Sequence, residues 1–207
     1  MKFLFHPLLI LTYLLLLMLA SNPYAFGAND LGDKRSVLLL MSVFSTSFLI
    51  PLLGVALMKP LGLIKSLEMH DKQERIGPYI VCGVFYLWLY KNFLIGITPP
   101  LYTQFTLGAT IALFLAFFVN IFKRISAYAV GMGCMVTMVL VLAFKWPGLA
   151  VSLGGFQLSM NIVLALALLI AGWVGFDVLK RNNHTPEEVW QGYAAGAVSV
   201  LIAGWLG

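Results

Sequence analysis

Charge is what this sequence most lacks. Of its 207 residues, only 10% are Asp, Glu, Lys or Arg, against roughly 25% in ordinary soluble domains. A soluble globular domain is therefore excluded at the outset. No long basic run exists outside the short loops, so the net charge of +5 does not point to nucleic acid. Three scattered histidines and two cysteines form no set with metal-ligand spacing, and no metal or other cofactor is expected. Cys82 and Cys134 fall inside apolar runs, where they are expected as buried thiols that carry no information about redox compartment. No glycine-rich loop precedes a soluble helix, which excludes a nucleotide-hydrolysing motor.

What is present is apolar, with 61% of residues hydrophobic. A bilayer core requires about 20 mostly apolar residues per helix. Runs of that kind lie near residues 4–20, 36–58, 79–96, 102–122, 127–145, 157–177 and 189–206. The expected fold is an all-α, polytopic transmembrane bundle of six to seven membrane helices. One of the runs is a candidate for a tilted or re-entrant segment. The whole chain, 1–207, reads as a single integral membrane domain, with the first helix and its loop at about 1–35 and a helical core over 36–207. The first run follows Lys2 and precedes "YAFGA", which fits a signal peptide. Its length favours an uncleaved first membrane helix instead.

Positive charge sets orientation. With the N-terminus inside, Lys2, Lys59, Lys65, Lys72, Arg75, Lys123, Arg124, Lys180 and Arg181 fall on the cytoplasmic side. Lys34, Arg35, Lys145 and Lys91 fall towards the other. The same count brings three charged loops, 59–78, 122–126 and 178–188, to one face. They carry Lys72 and Arg75, then Lys123, Arg124 and Ser126, then Lys180, Arg181, His184 and Glu188. Cationic side chains beside helix N-termini, whose first N–H groups are free, suit a phosphate.

The order of these loops resembles the type 2 phosphatidic acid phosphatase superfamily, which reads K-x6-R-P, then P-S-G-H, then S-R-x5-H-x3-D. The stretches "FHPLLILTY", "SLEMHDKQERIGPY", "KRISAY" and "HTPEEVWQG" are similar to small members of that superfamily from Bacteroidetes-type bacteria, and the likeness spans nearly the whole chain. Arg75 matches the arginine of the first motif, although its proline comes later, at Pro78. Lys72 is the nearest lysine, at a different spacing. Ser126 matches the serine of the second motif, and Tyr128 stands where the family has histidine. His184 matches the nucleophilic histidine of the third, and Glu188 takes the place of its aspartate. Val178 occupies the position of the third motif's arginine, for which Arg181 or Lys180 would have to substitute.

The resemblance implies a histidine nucleophile oriented by a carboxylate, with cations holding the phosphoryl oxygens and a second histidine protonating the leaving oxygen. Catalytic expectations therefore fall on His184 and Glu188, and phosphate-binding ones on Arg75, Lys72, Arg124, Ser126 and Arg181. General acid catalysis is worth about 10²–10⁴-fold, and a tyrosine with an ordinary pKa of about 10 supplies it poorly near neutrality. A phosphate leaving group needs little protonation. The expected substrate is thus a phosphorylated membrane lipid, with a polyprenyl diphosphate favoured. The alternative is a catalytically inactive relative that binds an anionic lipid or serves as a subunit of a membrane complex. A bacterial inner membrane is the expected location.

Each of these residues also has a plainer role. "HTPEE" is a good helix entry, with Thr185 as N-cap, Pro186 at the first position and two glutamates in the first turn. Lys123 and Arg124 would serve as interfacial anchors, Arg75 and His70 as solvated loop residues, and His6 as an interfacial group far from the site in sequence. Gly192 and Gly196 are spaced for close helix packing, expected inside the bundle rather than between copies.

Overall fold

Six helices of 19 to 25 residues are long and apolar enough to cross a membrane. At 1.5 Å per residue they span roughly 28–38 Å, which matches a hydrocarbon core of about 30 Å. The chain is an integral membrane protein built as an all-α bundle. The computed structural model describes residues 5–64, 73–96, 98–146, 148–153, 156–181 and 184–206. Lys72 and His70 lie outside the described residues.

The order is α1 (Ile10–Ser21), α2 (Lys34–Phe44), α3 (Ile50–Met58), α4 (Ile76–Ile95), α5 (Pro100–Phe122), α6 (Ala127–Lys145), β1 (Ala150–Leu153), β2 (Phe156–Ser159), α7 (Met160–Lys180) and α8 (Pro186–Leu206). Helices α2 and α3 form one membrane span, joined by a π-helical turn over Ser45–Leu49. Pro51 explains the turn, since its missing N–H and its ring both disturb the preceding ladder. Residues 146–155, read as a turn-rich loop, instead carry part of a short hairpin. Val151 pairs with Leu158 and points inward, only 3% exposed.

The first apolar run does not behave as the other six do. Helix α1 has 12 residues, about 18 Å, and is too short to span. It is buried on nearly every side, and Leu11, Leu15, Met18 and Leu19 have no exposure at all. It forms the centre of the bundle rather than a lipid-facing column. Two tyrosines hold it by donating to its end of the chain. Tyr102 Oη donates to Leu11 O at 2.9 Å, and Tyr86 Oη to Leu8 O at 3.3 Å. Beyond α1 the chain turns back at Phe26, which packs edge-on against Tyr102 near the start of α5.

Glycine sets the spacing of α6 and α8. A Cβ on Gly192 would lie 2.6 Å from that of Ala129, and one on Gly196 would run into the backbone of Val130. The small-residue pair thus packs inside the bundle, as its spacing implied. The lipid side is left to large apolar groups such as Trp88, Phe118, Leu169 and Trp205. This packing brings the entry of α4, the α5–α6 junction and the entry of α8 to one end.

Candidate functional site

The entry to α8 is built by a reciprocal cap. Glu188 N donates to Thr185 Oγ1, and Thr185 N donates to Glu188 Oε2, both at 3.4 Å. This is the capping-box arrangement, with Pro186 preset at the first helical position. The same carboxylate oxygen lies 2.6 Å from His184 Nδ1. The helix cap and the imidazole partner are therefore one group. A carboxylate can only accept, so Nδ1 carries the proton and Nε2 keeps its lone pair. The two side chains are just 11% and 12% exposed.

His184 lies at the mouth of a cavity of about 620 Å³, within the usual range for small-molecule sites. Arg75, Arg124 and Arg181 also line it. Arg75 closes a 3₁₀ turn, Gln73–Arg75, directly before α4. Arg124 sits between α5 and α6. Burial holds the His184 pKa below its ordinary value of 6.5, the nearby Glu188 pushes it up, and Arg75 and Arg124 push it down. The three loops whose charges were expected to meet do meet, through Arg75, Arg124 and His184.

Below this mouth the cavity is apolar. Leu52 and Val55 of α3, Tyr86 of α4, Ala109 and Ala112 of α5 and Val130 of α6 form its walls. The arrangement is amphiphilic: cations and an imidazole at one end, hydrocarbon surfaces at the other.

The remaining expected residues take varied places. Ser126 is fully buried and caps α6, its Oγ accepting from Ala129 N at 3.4 Å, and it is not part of the cavity wall. Tyr128 and Val178 both line the cavity. Arg181 is held by a two-pronged ion pair with Asp177, at 2.8 Å through Nη2 and 3.2 Å through Nε. Part of its charge is thereby compensated. Lys123 pairs with Glu187 at 3.2 Å on the exposed surface, a contact worth at most about 1 kcal/mol.

Among the cavity residues not read as part of a site, Asp177 and His6 carry titratable side chains close to ones that were. Asp177 stands one position before Val178, and its i,i+4 spacing to Arg181 was a usable signal. His6, expected at the interface and away from the site, is instead a cavity residue packed edge-on against Tyr128 at 6.1 Å. No local sequence signal joins residues so far apart along the chain.

No protein-family model, curated protein or solved structure matches this chain.

Proposed function

We propose that this protein is a membrane phosphohydrolase resembling the type 2 phosphatidic acid phosphatases, acting on a lipid phosphate or diphosphate through His184. The observation that carries this reading is the His184–Glu188 pair, set with Arg75 and Arg124 at the cationic mouth of an apolar cavity. The lipid tail would occupy the apolar walls, and the phosphate would sit among the guanidiniums.

In the first step His184 Nε2 attacks phosphorus. A P–N bond forms and the bond to the leaving oxygen breaks with both electrons on that oxygen, which departs as a lipid phosphate anion or, from a monoester, as an alkoxide that takes a proton from a donor such as Tyr128 or from solvent to become the alcohol. Glu188 accepts the Nδ1 proton's hydrogen bond and stabilises the positive charge that develops on the ring. Arg75 and Arg124 stabilise the equatorial oxygens. Water then displaces the imidazole from phosphorus, giving its hydroxyl to the phosphate and its proton to the ring, which releases that proton to solvent to restore the Nε2 lone pair.

A monoester and a diphosphate make different demands. If Tyr128 is the sole donor near the leaving oxygen, the diphosphate is the better substrate, since its departing phosphate needs little protonation. A polyprenyl diphosphate in a bacterial inner membrane is the favoured case. Equal rates on a monoester and a diphosphate lipid would contradict that preference.

A second reading, an inactive relative that binds an anionic lipid or joins a membrane complex, has one observation in its favour. Val178 presents hydrocarbon to the cavity where the family has a guanidinium. Phosphate release from a polyprenyl diphosphate by the protein in detergent, beside His184→Ala, separates the two. Release that vanishes in the variant supports the phosphohydrolase. Absence of release across several phosphorylated lipids, with retained lipid binding, supports the second reading.

A further inference from the structure

His6 is a second imidazole on the same cavity, and its orientation is set from three sides. Its Nδ1 accepts from Leu8 N at 3.4 Å, so the side chain caps the 3₁₀ turn Pro7–Leu9 that leads into α1. Its ring packs edge-on against Phe48 of the π-helical turn at 5.6 Å and against Tyr128 of α6 at 6.1 Å. Such contacts fix a ring plane as well as a position. A ring nitrogen that accepts from a backbone N–H carries no proton, so in the neutral ring the proton lies on Nε2. Among the described residues, no hydrogen-bond partner is recorded for Nε2. A half-buried N–H donor that lines a cavity and has no protein partner among the described residues is suited to a ligand oxygen.

We propose that His6 is a phosphate-binding residue: a neutral imidazole that donates Nε2–H to an oxygen of the substrate's phosphate, in the cavity shared with His184. The proposal rests on the phosphohydrolase reading of that cavity. It names a donor from the N-terminal turn, in the same cavity where Val178 offers none.

The charge state follows from the surroundings. Protonating Nδ1 would set two N–H groups against each other at Leu8, and burial holds the His6 pKa below its ordinary value of 6.5. Other polar groups lining the cavity are Tyr128 of α6, the Asp177–Arg181 pair of α7, Tyr79 and Tyr86 of α4, the second of which bonds Leu8 O, and Arg75, Arg124 and His184 at its mouth. The Asp177–Arg181 pair presents little net charge to reverse the balance. In its neutral form His6 therefore serves as a hydrogen-bond donor through Nε2–H, and not as the acid that the leaving oxygen would need. His184 differs in this respect: Glu188 accepts from its Nδ1, which leaves Nε2 as a lone pair for attack. One cavity thus carries two imidazoles in opposite tautomers.

The test uses the full-length protein in detergent with ¹⁵N-labelled histidine, and inorganic phosphate as the probe. The expected result is a His6 signal with a protonated Nε2 and a bare Nδ1 at pH 8 that shifts on phosphate addition, together with a shift of His184. A His184 shift with an unmoved His6 overturns the proposal and leaves the phosphohydrolase reading standing. If neither moves, both fail. A His6 that becomes imidazolium when phosphate binds also overturns the proposal.

Variants give an independent measure. His6→Gln keeps an N–H at a similar reach, whereas His6→Phe keeps the ring without a donor. Phosphate affinity is expected to fall about 10- to 100-fold in His6→Phe and to recover largely in His6→Gln. Equal losses in the two would argue for a structural role, and no loss in His6→Phe would overturn the proposal outright.

Discussion

His184 Nδ1 lies 2.6 Å from Glu188 Oε2, one helical turn further on, and the same oxygen accepts the backbone N–H of Thr185. A single carboxylate thus starts α8 and orients the imidazole ahead of it. The plain reading of "HTPEE" as a helix entry and the reading of His184 as a site residue do not compete. The first supplies the rigidity that the second needs.

Replacing that carboxylate should separate its two effects. In Glu188→Gln the amide oxygen can still accept from Nδ1, but the charge is gone. Phosphate release is expected to fall by about 10²–10⁴-fold. The acid limb of the remaining activity should move to lower pH, because Glu188 is the group that raises the His184 pKa against burial and the two arginines. A limb that moves upward would contradict this electrostatic account.

The same shift has a consequence for stability. The folded His184 pKa lies below its ordinary value of 6.5, so the unfolded chain binds the extra proton more readily. Stability from this source is fully present above pH 6.5 and declines as pH falls through the window below it. Thermal unfolding of wild type and His184→Ala, followed from pH 7.5 to 5, should show a smaller acid loss in the variant. His6 is displaced in the same direction by burial, so some acid sensitivity should remain.

Removing a guanidinium should act in the opposite sense. Arg75 and Arg124 both hold the His184 pKa down. Arg124→Gln should raise it, shifting the acid limb of activity upward. Losing a charge-assisted contact should also weaken inorganic phosphate binding about 10- to 100-fold. Arg181→Gln should cost less, because its guanidinium is already engaged by Asp177. Calorimetric titration with phosphate orders the two variants.

The helix interface offers a matched pair of glycine substitutions in α8. A Cβ on Gly196 would collide with the backbone at Val130, while one on Gly204 would meet nothing within 4 Å. Gly196→Ala should destabilise by about 1–3 kcal/mol through overpacking. Gly204→Ala should be neutral or stabilise by up to about 1 kcal/mol, since a helical glycine gains from an added methyl. Thermal unfolding in one detergent should lower the Gly196→Ala midpoint and leave that of Gly204→Ala unchanged or higher.

Much of this architecture was legible in the chain itself. The spans follow from runs of about 20 apolar residues, for which few stable arrangements exist in a bilayer. The α8 entry follows from local rules that act within one turn: a threonine N-cap, a proline at the first position and a glutamate reaching back. The alternation of the six later runs was enough to bring Arg75, Arg124 and His184 to one end.

The rest depended on long-range packing. A leucine-rich run satisfies lipid and protein interior equally well, so nothing in "LLILTYLLLLMLA" distinguishes a lipid-facing span from a buried central helix. Only Tyr86, Tyr102 and the surrounding helices make α1 the core of the bundle. Ser126 looked like a phosphate ligand by order, yet its hydroxyl is used to cap α6. His6 looked peripheral by position, yet α1's burial draws it against Tyr128 at the cavity. Sequence by itself determined that the chain crosses a membrane repeatedly and which ends carry charge, because apolar length and capping act locally, but not whether the first run spans. Which charged groups share a cavity, which arginine is already paired and which histidine faces inward were decided by the tertiary structure, because those contacts join residues far apart along the chain.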